Sequence, residues 1–100
     1  MAETATLEKT EAGTAYKKPP LFAVVCLNDD ITTMEFVMKM LMEIFGKTPP
    51  DAERLMMDIH ESGSGVAGVY IYDIALTKQQ KSLQMAKSEG FPLKIILREA

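Results

Sequence analysis

The residues of this chain most able to do chemistry form the polar triplet from Asn28 to Asp30. The triplet follows the apolar run from Leu21 to Leu27, which predicts a buried strand, and it precedes Thr32 and Glu35, whose spacing predicts a capping box that opens a helix. One amide and two carboxylates at such a corner could bind a cation, a metal ion or a set of N–H donors. The alternative is turn chemistry, because Asn and Asp commonly end strands by bonding their own backbone.

His60 is the single histidine of the chain and Cys26 its single cysteine. No sequence pattern of covalent catalysis and no Gly-rich phosphate loop accompanies them, so we do not expect an enzyme. Asp29, Asp30 and His60 match no metal-ligand spacing, and we expect neither a metal nor another cofactor. Cys26 lies within the apolar run, which favours a buried, inert thiol.

Composition narrows the class of protein further. A chain of 100 residues has room for one domain with a modest core. Its net charge of -3 and the absence of a Lys/Arg cluster argue against nucleic-acid binding. The longest apolar run, Leu21 to Leu27, is far shorter than the roughly 20 residues that span a bilayer. There is no secretory signal pattern and no possible internal disulfide, so we expect a cytoplasmic protein. We also expect a monomer and no membrane partner.

The pattern along the chain predicts an α+β domain with the element order β-α-α-β-α-β, in which a three-stranded antiparallel sheet packs on three helices. Residues 1–20 lack apolar periodicity and indicate a flexible N-terminal tail, either a solvated end or a tether for a partner, before a core domain over residues 21–100. The other predicted elements are a helix over 33–45, a helix from Thr48 to Gly63, a strand over 66–76, a helix over 78–88 capped by Thr77, and a strand over 92–98.

Methionine is unusually frequent, with eight residues that concentrate on the two central helices. On the first helix we expect the core-facing stripe to be Met34, Val37, Met38, Leu41 and Ile44. Methionines at helical spacing indicate either an adaptable core or a plastic apolar pocket. A pocket of that kind with Asn28, Asp29 and His60 at its mouth would suit an apolar side chain beside a positive amine, which is the first residue of a peptide.

The run from Leu27 to Val37 closely resembles the Asn-Asp-Asp-x-Thr-x-Met-Glu-Phe signature of the ClpS adaptor family. The resemblance covers about residues 21 to 99 and continues, in order, through Leu55-Met56-x-x-Ile59-His60, Gly68-Val69-Tyr70, Thr77-Lys78 and Pro92-Leu93. It implies an adaptor of the bacterial N-degron (N-end rule) pathway. Such an adaptor binds bulky hydrophobic N-terminal residues and delivers those proteins to the ClpA unfoldase of the ClpAP protease.

The resemblance also implies roles for individual residues. Asn28, Asp29 and His60 match positions that bind the substrate's α-amino group. Seven further residues match family positions that form the pocket or bind the peptide backbone: Asp30, Thr32, Met34, Val37, Met56, Ile59 and Leu93. Met34 corresponds to a gatekeeper that crowds β-branched residues. Asp73 and Lys78 match positions that dock the N-terminal domain of the unfoldase.

Three positions depart from the family pattern. Ile31 and Thr33 replace the Tyr and Pro often found in the signature, and Leu76 stands where an acid is common. The chain could therefore be a divergent second copy of the adaptor with altered residue preference or altered unfoldase contact. The alternative function is a non-catalytic docking domain resembling the C-terminal domain of the ribosomal stalk protein, which shares this fold.

Overall fold

The computed structural model describes residues 18–100 of the chain. Its elements are Leu21–Leu27 (β1), Met34–Glu43 (α1), Pro49–Ser62 (α2), Ser64–Ile71 (β2), Tyr72–Ser88 (α3) and Lys94–Glu99 (β3). This order confirms the predicted β-α-α-β-α-β arrangement. The tail predicted over residues 1–20 lies outside the described residues apart from 18–20, which are exposed and form neither helix nor strand.

The strands form one three-stranded antiparallel sheet, as the sequence predicted, and the structure shows their order to be β2-β1-β3. β1 is the central strand. Its last residue, Leu27, pairs with Ser64 of β2 on one side and with Lys94 of β3 on the other. Asn28 and the residues after it therefore leave the sheet at the middle of one end, where side chains from several elements can converge.

The two faces of the sheet differ in their surroundings. Val24 and Cys26 of β1 belong to the main core, together with apolar side chains from the helices. Because successive side chains of a strand point to opposite faces, Ala23 and Val25 lie on the other face. Val66, which pairs with Val25, remains exposed there. The helices therefore cover the face that carries Val24 and Cys26.

The N-terminus of α1 corrects the predicted capping box. Thr33, and not Thr32, is the N-cap, and its hydroxyl oxygen accepts a 3.2 Å hydrogen bond from the N–H of Phe36. Thr32 instead donates its hydroxyl to the carboxylate of Asp29. The side chain of Thr32 is thus held at the carboxylate of Asp29, and the next threonine caps the helix.

The buried stripe of α1 also differs from the prediction. The residues that it buries are Phe36, Val37, Met40 and Leu41. Met34 is 40% exposed, Met38 and Ile44 are half-buried, and the helix ends at Glu43 and not at Phe45. The stripe is rotated towards Phe36, because the ring of Phe36 packs 5.2 Å from that of Phe91. As a result, the side chain of Met34 is free to contribute to a surface cavity.

The second and third helices show where local signals suffice and where they do not. α2 begins after its N-cap Thr48 and ends at Gly63, whose φ is 95°, as predicted. α3 begins at Tyr72, six residues before the predicted start at Lys78, so the strand predicted over 66–76 is wrong beyond Ile71. Thr77 does not cap the helix, because its hydroxyl donates within α3 to the carbonyl of Asp73.

Packing explains the early start of α3. Ala75 is fully buried in the core, and the ring of Tyr72 meets that of Phe22 edge-on with 5.3 Å between centroids. These long-range contacts override the strand preference of the Tyr and Ile residues in this segment. β3 starts at Lys94 and not at Pro92, and its side chains alternate between the two faces of the sheet, with Ile95 buried and Ile96 exposed.

Cys26 is buried as the sequence predicted. Its burial raises the pKa of the thiol to about 12, so the side chain stays protonated at neutral pH. Within residues 18–100, no helix has the length and apolar character needed to cross a bilayer.

Candidate functional site

A cavity of about 460 Å³ opens where β1 ends, between the turn into α1 and the last turns of α2. Its lining residues are Asn28, Asp29, Asp30, Ile31, Thr32, Thr33, Met34, Glu35, Val37, Met56, Ile59 and His60. The residues predicted for the α-amino group therefore share one cavity with most of the residues predicted for the pocket. They come from two separate segments of the chain, residues 28–37 and residues 56–60.

One backbone hydrogen bond joins these segments. The N–H of Asn28, at the end of β1, donates to the carbonyl of Gly63 at the end of α2, over 2.9 Å. Gly63 reaches this position in the left-handed region, where its own N–H bonds to the carbonyl of Ile59. His60 lies in the helical turn just before Gly63, so this junction brings the imidazole to the same cavity as the amide of Asn28.

A glycine on β2 lets α2 approach the sheet. A Cβ atom on Gly65 would lie 2.7 Å from Cγ1 of Ile59 and 3.1 Å from Cδ1 of Leu55. Only a residue without a side chain leaves this space free. Ile59 is consequently buried against the sheet while it also lines the cavity, and Gly65 is a site-supporting residue that the motif comparison did not single out.

The carboxylate of Asp29 organises the turn between β1 and α1. Its Oδ1 accepts hydrogen bonds from the N–H groups of Ile31, at 2.8 Å, and Thr32, at 2.7 Å. Its Oδ2 accepts the hydroxyl of Thr32 at 2.7 Å. The turn chemistry that the sequence allowed is therefore present. Since each carboxylate oxygen can accept about two hydrogen bonds, Oδ2 retains one acceptor direction.

The same contacts set the charge of Asp29. Burial acts to raise its pKa, but the hydrogen bonds from the backbone and hydroxyl of Thr32 and from the N–H of Ile31 outweigh burial and hold the pKa below its usual value. Asp29 is thus ionised at neutral pH. Asp30 and Glu35 add two exposed carboxylates, and among residues 18–100 no Lys or Arg side chain lines the cavity. The mouth of the cavity is negative and favours a cation.

The floor of the cavity is apolar. Val37 of α1 and Met56 and Ile59 of α2 are all buried, with 3–9% of their surfaces exposed. Met34 stands at the edge, 40% exposed. A polar, negative mouth thus lies directly above an apolar floor of flexible and branched side chains, an arrangement that can hold a ligand with a cationic group next to an apolar one.

The prediction for Leu93 places it in the pocket, but the structure does not bring it to the cavity lining. Leu93 is 6% exposed and belongs to the hydrophobic core just before β3. Conversely, Ile31, Thr33 and Glu35 line the cavity without having been predicted to do so. Their position in the sequence could have indicated this, because they lie in the turn and the first helical residues next to Asp29. A cavity at a strand-to-helix corner is lined by neighbouring residues along the whole corner.

Metal binding by this corner finds no support in the geometry. Within residues 18–100, no group of three or more His, Cys, Asp and Glu side chains is arranged to hold a metal ion. The hydrogen-bonding capacity of Asp29 is largely used by the turn itself.

Asp73 and Lys78 share a second, separate cavity of about 320 Å³. The ammonium of Lys78 donates a 2.8 Å hydrogen bond to the carbonyl of Ile44, the C-cap residue of α1. It also lies 5.3 Å from the ring centroid of Tyr70 and 5.8 Å from that of Phe45. Lys78 is therefore a fixed, half-buried cation, whereas Asp73 is exposed in the first turn of α3.

Comparison with known proteins identifies the family. The family model for "ATP-dependent Clp protease adaptor protein ClpS" matches residues 17–96. ATP-dependent Clp protease adapter protein ClpS of Acetivibrio thermocellus is 46% identical over 92 residues, which cover 92% of this chain and 93% of that protein. The protein of the same name from Helicobacter hepaticus is 46% identical over 99 residues, covering 99% of this chain and 98% of the relative.

A solved structure agrees with these relatives. Agrobacterium tumefaciens ClpS2, determined bound to L-phenylalaninamide, superposes with a TM-score of 0.80 and 37% sequence identity. The match covers 83% of this chain and 100% of that one. The resemblance first seen in the residues after Leu27 is therefore confirmed over almost the whole chain, which belongs to the ClpS family of ATP-dependent Clp protease adaptor proteins.

Proposed function

We propose that this chain is an N-degron adaptor. It binds the first residue of proteins that begin with a bulky hydrophobic amino acid and delivers them to a ClpA-type AAA+ unfoldase of the ClpAP protease. Its own part in degradation is binding and delivery, not bond cleavage. The observation that carries this proposal is one cavity that combines the acceptor groups of Asn28, Asp29 and His60 with a negative mouth and an apolar floor.

The mouth suits the α-ammonium group of a peptide. An ammonium has three N–H donors, and the amide oxygen of Asn28, the free direction on Oδ2 of Asp29 and a neutral ring nitrogen of His60 can each accept one. The ionised Asp29 also balances the charge. Acetylation of the peptide would remove both the charge and two of the donors, and we expect it to abolish binding.

The floor suits the first side chain. Burying a Leu or Phe side chain contributes about 1.5 to 3 kcal/mol, and each charge-assisted hydrogen bond to the ammonium about 1.5 to 3 kcal/mol more. After the entropy of association, we expect a micromolar Kd, equivalent to about 8 kcal/mol. Met34 at the edge would crowd a branched β-carbon, so we expect Leu, Phe, Tyr and Trp to bind better than Ile or Val.

The backbone of the peptide would pass over the turn beside Asp30 and Thr32. The hydroxyl of Thr32 is committed as a donor to Asp29, but its oxygen still has lone pairs that can accept a peptide N–H. The relative from Agrobacterium tumefaciens supports this mode of binding, because L-phenylalaninamide has a free ammonium, an apolar side chain and an amide in place of the next peptide bond.

Delivery requires a second surface that stays accessible while cargo is bound. We call the cavity that contains Asn28, Asp29 and His60 the cargo cavity. Met34, the first residue of α1, lines the cargo cavity, whereas Ile44, just beyond the last residue of α1, lines the cavity of Asp73 and Lys78. The ten residues of α1 separate these ends by about 15 Å. We propose that the N-terminal domain of the unfoldase docks at Asp73 and Lys78 while a peptide occupies the other end, with the adaptor acting as a cytoplasmic monomer.

A peptide panel tests the proposal. Fluorescence anisotropy would be measured with labelled peptides that differ only in their first residue (Leu, Phe, Tyr, Trp, Ile or Arg), each with a free and an acetylated N-terminus. We expect micromolar binding of the free bulky hydrophobic peptides and none of their acetylated forms. Equal binding of free and acetylated peptides would overturn the proposal. A reporter protein beginning with Leu should also be degraded faster by ClpAP when the adaptor is added.

A further inference from the structure

The cargo cavity has a neighbour with which it shares a wall. A second cavity, of about 390 Å³, lies between α1 and α2 and is lined by Met34, Glu35, Met38, Glu53 and Met56. Met34 and Met56 line both cavities. Two methionine side chains therefore separate the proposed binding site from a neighbouring surface groove.

The methionine side chains differ widely in their exposure to solvent. Within residues 18–100, Met34 and Met42 are the two methionines with large exposed fractions, 40% and 38%. Met56 is 9% exposed and Met40 is fully buried. Methionine oxidation follows access to the sulfur, so Met34 and Met42 should react first and Met40 last.

We propose that Met34 is an oxidation site through which peroxides switch off the cargo cavity. The inference rests on the proposed function, because it concerns occupation of the same cavity by an apolar side chain. The thioether sulfur of Met34 attacks one oxygen of hydrogen peroxide, a sulfur–oxygen bond forms as the O–O bond breaks, and water leaves. Sulfur loses two electrons, peroxide gains them, and the product is methionine sulfoxide.

Oxidation of Met34 to the sulfoxide would make the wall of the cavity polar and weaken the binding of an apolar cargo side chain. Its S–O group is a strong acceptor, whereas the floor that faces it consists of the apolar side chains of Val37, Met56 and Ile59. An apolar cargo side chain seated on that floor would exclude water from the sulfoxide and offer it no donor. Burying a polar group without a hydrogen bond is unfavourable, so cargo should bind less tightly. Methionine sulfoxide reductases reverse the reaction, which makes the change a switch.

Met42 provides a matched control on the same helix. Its exposed fraction is almost equal to that of Met34, but it lies at the opposite end of α1 and does not line the cargo cavity. It should therefore oxidise at a similar rate without any effect on binding. The Met42→Leu variant should bind peptide as the unsubstituted protein does, both before and after peroxide treatment.

The test uses the full chain with hydrogen peroxide at neutral pH, stopped with catalase before peptide is added. Peptide mapping by mass spectrometry follows the oxidation of each methionine, and anisotropy follows binding of a peptide that begins with Leu. We expect Met34 and Met42 to oxidise well before Met40 and Met56. Peptide binding should weaken about tenfold as Met34 is oxidised, and it should recover after treatment with methionine sulfoxide reductases.

The Met34→Leu variant assigns the effect to one residue. Its treated and untreated forms are compared with each other, so any change in its own starting affinity does not matter. We expect the ratio of the Kd values of the treated and untreated forms to stay near one, because Leu cannot be oxidised. An equal loss in Met34→Leu, full affinity of protein with oxidised Met34, or oxidation of Met34 no faster than that of Met40 would each overturn the inference. Failure of untreated protein to bind any Leu peptide would instead overturn the proposed function, and the inference with it.

Discussion

Thr32 donates two hydrogen bonds to Asp29, one from its backbone N–H to Oδ1 and one from its hydroxyl to Oδ2, both at 2.7 Å. The pair fixes the turn between β1 and α1 and holds the carboxylate in its ionised form at the mouth of the cargo cavity. One aspartate thus serves two purposes, since it shapes the corner and keeps one acceptor direction for a ligand.

This double role predicts a pH dependence of stability. The folded state lowers the pKa of Asp29, so the ionised carboxylate contributes stability that is fully present above about pH 4, the usual pKa of an aspartate, and is lost as the pH falls through the lowered pKa. We expect Asp29→Asn to lower the free energy of unfolding by about 1 kcal/mol near pH 6, and the difference between the two proteins to shrink as the pH falls through the lowered pKa. Urea titrations at several pH values would measure it.

The control for this experiment is Asp30→Asn. Asp30 is exposed, and none of the hydrogen bonds within residues 18–100 involves its side chain. Its substitution should leave stability unchanged at every pH. A difference for Asp29→Asn that does not shrink as the pH falls would show that the charge of Asp29 does not stabilise the turn.

His60 should separate binding from stability. Its side chain is exposed, and it has no hydrogen bond or ion pair within the described part of the chain. We expect His60→Ala to weaken binding of a Leu peptide at least about tenfold by removing an acceptor of the ammonium, and to change the melting temperature by less than about 4 °C. Glu61→Ala, an exposed neighbour outside the cavity, is the control. Unaltered affinity of His60→Ala would exclude His60 from the site.

Gly65 should be required for the shape of the floor. We expect Gly65→Ala to destabilise the protein by about 1 to 3 kcal/mol and to weaken peptide binding, because the new methyl group would displace Ile59. Thermal unfolding and anisotropy would measure the two effects. In an Ile59→Ala background the stability cost should shrink, since the clashing atom is absent. An undiminished cost there would mean that Gly65 acts through its backbone and not through space.

Lys78 should affect the unfoldase and not the cargo. Lys78→Met keeps the aliphatic stem beside Tyr70 and Phe45 but removes the ammonium bound to the carbonyl of Ile44. We expect about 1 kcal/mol lower stability, weaker binding to the isolated N-terminal domain of ClpA, and normal peptide affinity. Lys87→Met, an exposed lysine on the same helix, is the control. Weakened peptide binding with normal unfoldase binding would contradict the two-surface arrangement.

Local signals predicted the parts of the fold that local energetics decide. α2 begins and ends as predicted, because Thr48 caps it, Pro49 suits the first helical position and Gly63 adopts the left-handed region at its end. The start of α3 was missed for the opposite reason. Its N-cap, Ile71, makes no side-chain cap, and the helix is fixed there by the ring of Phe22 against Tyr72.

The candidate site shows the same division. The motif around Asp29 located the mouth of the cavity, but two consecutive threonines could both have capped α1, and only the competing carboxylate assigns Thr33 to that role. Leu93 was expected in the pocket because its motif accompanies the others, yet it lies in the core. Whether a core residue also lines a surface cavity depends on the packing of distant segments, and the local motif does not encode it.

The hydrogen bond between the N–H of Asn28 and the carbonyl of Gly63 has a consequence for measurements of motion. An amide proton held in this way exchanges with deuterated water only when the end of β1 and the end of α2 separate. The exchange rate of this single proton therefore reports how often the corner opens. Ligands that bridge Asn28 and His60 should slow it, and a two-dimensional NMR spectrum would follow cargo binding at one resolved peak without any label on the peptide.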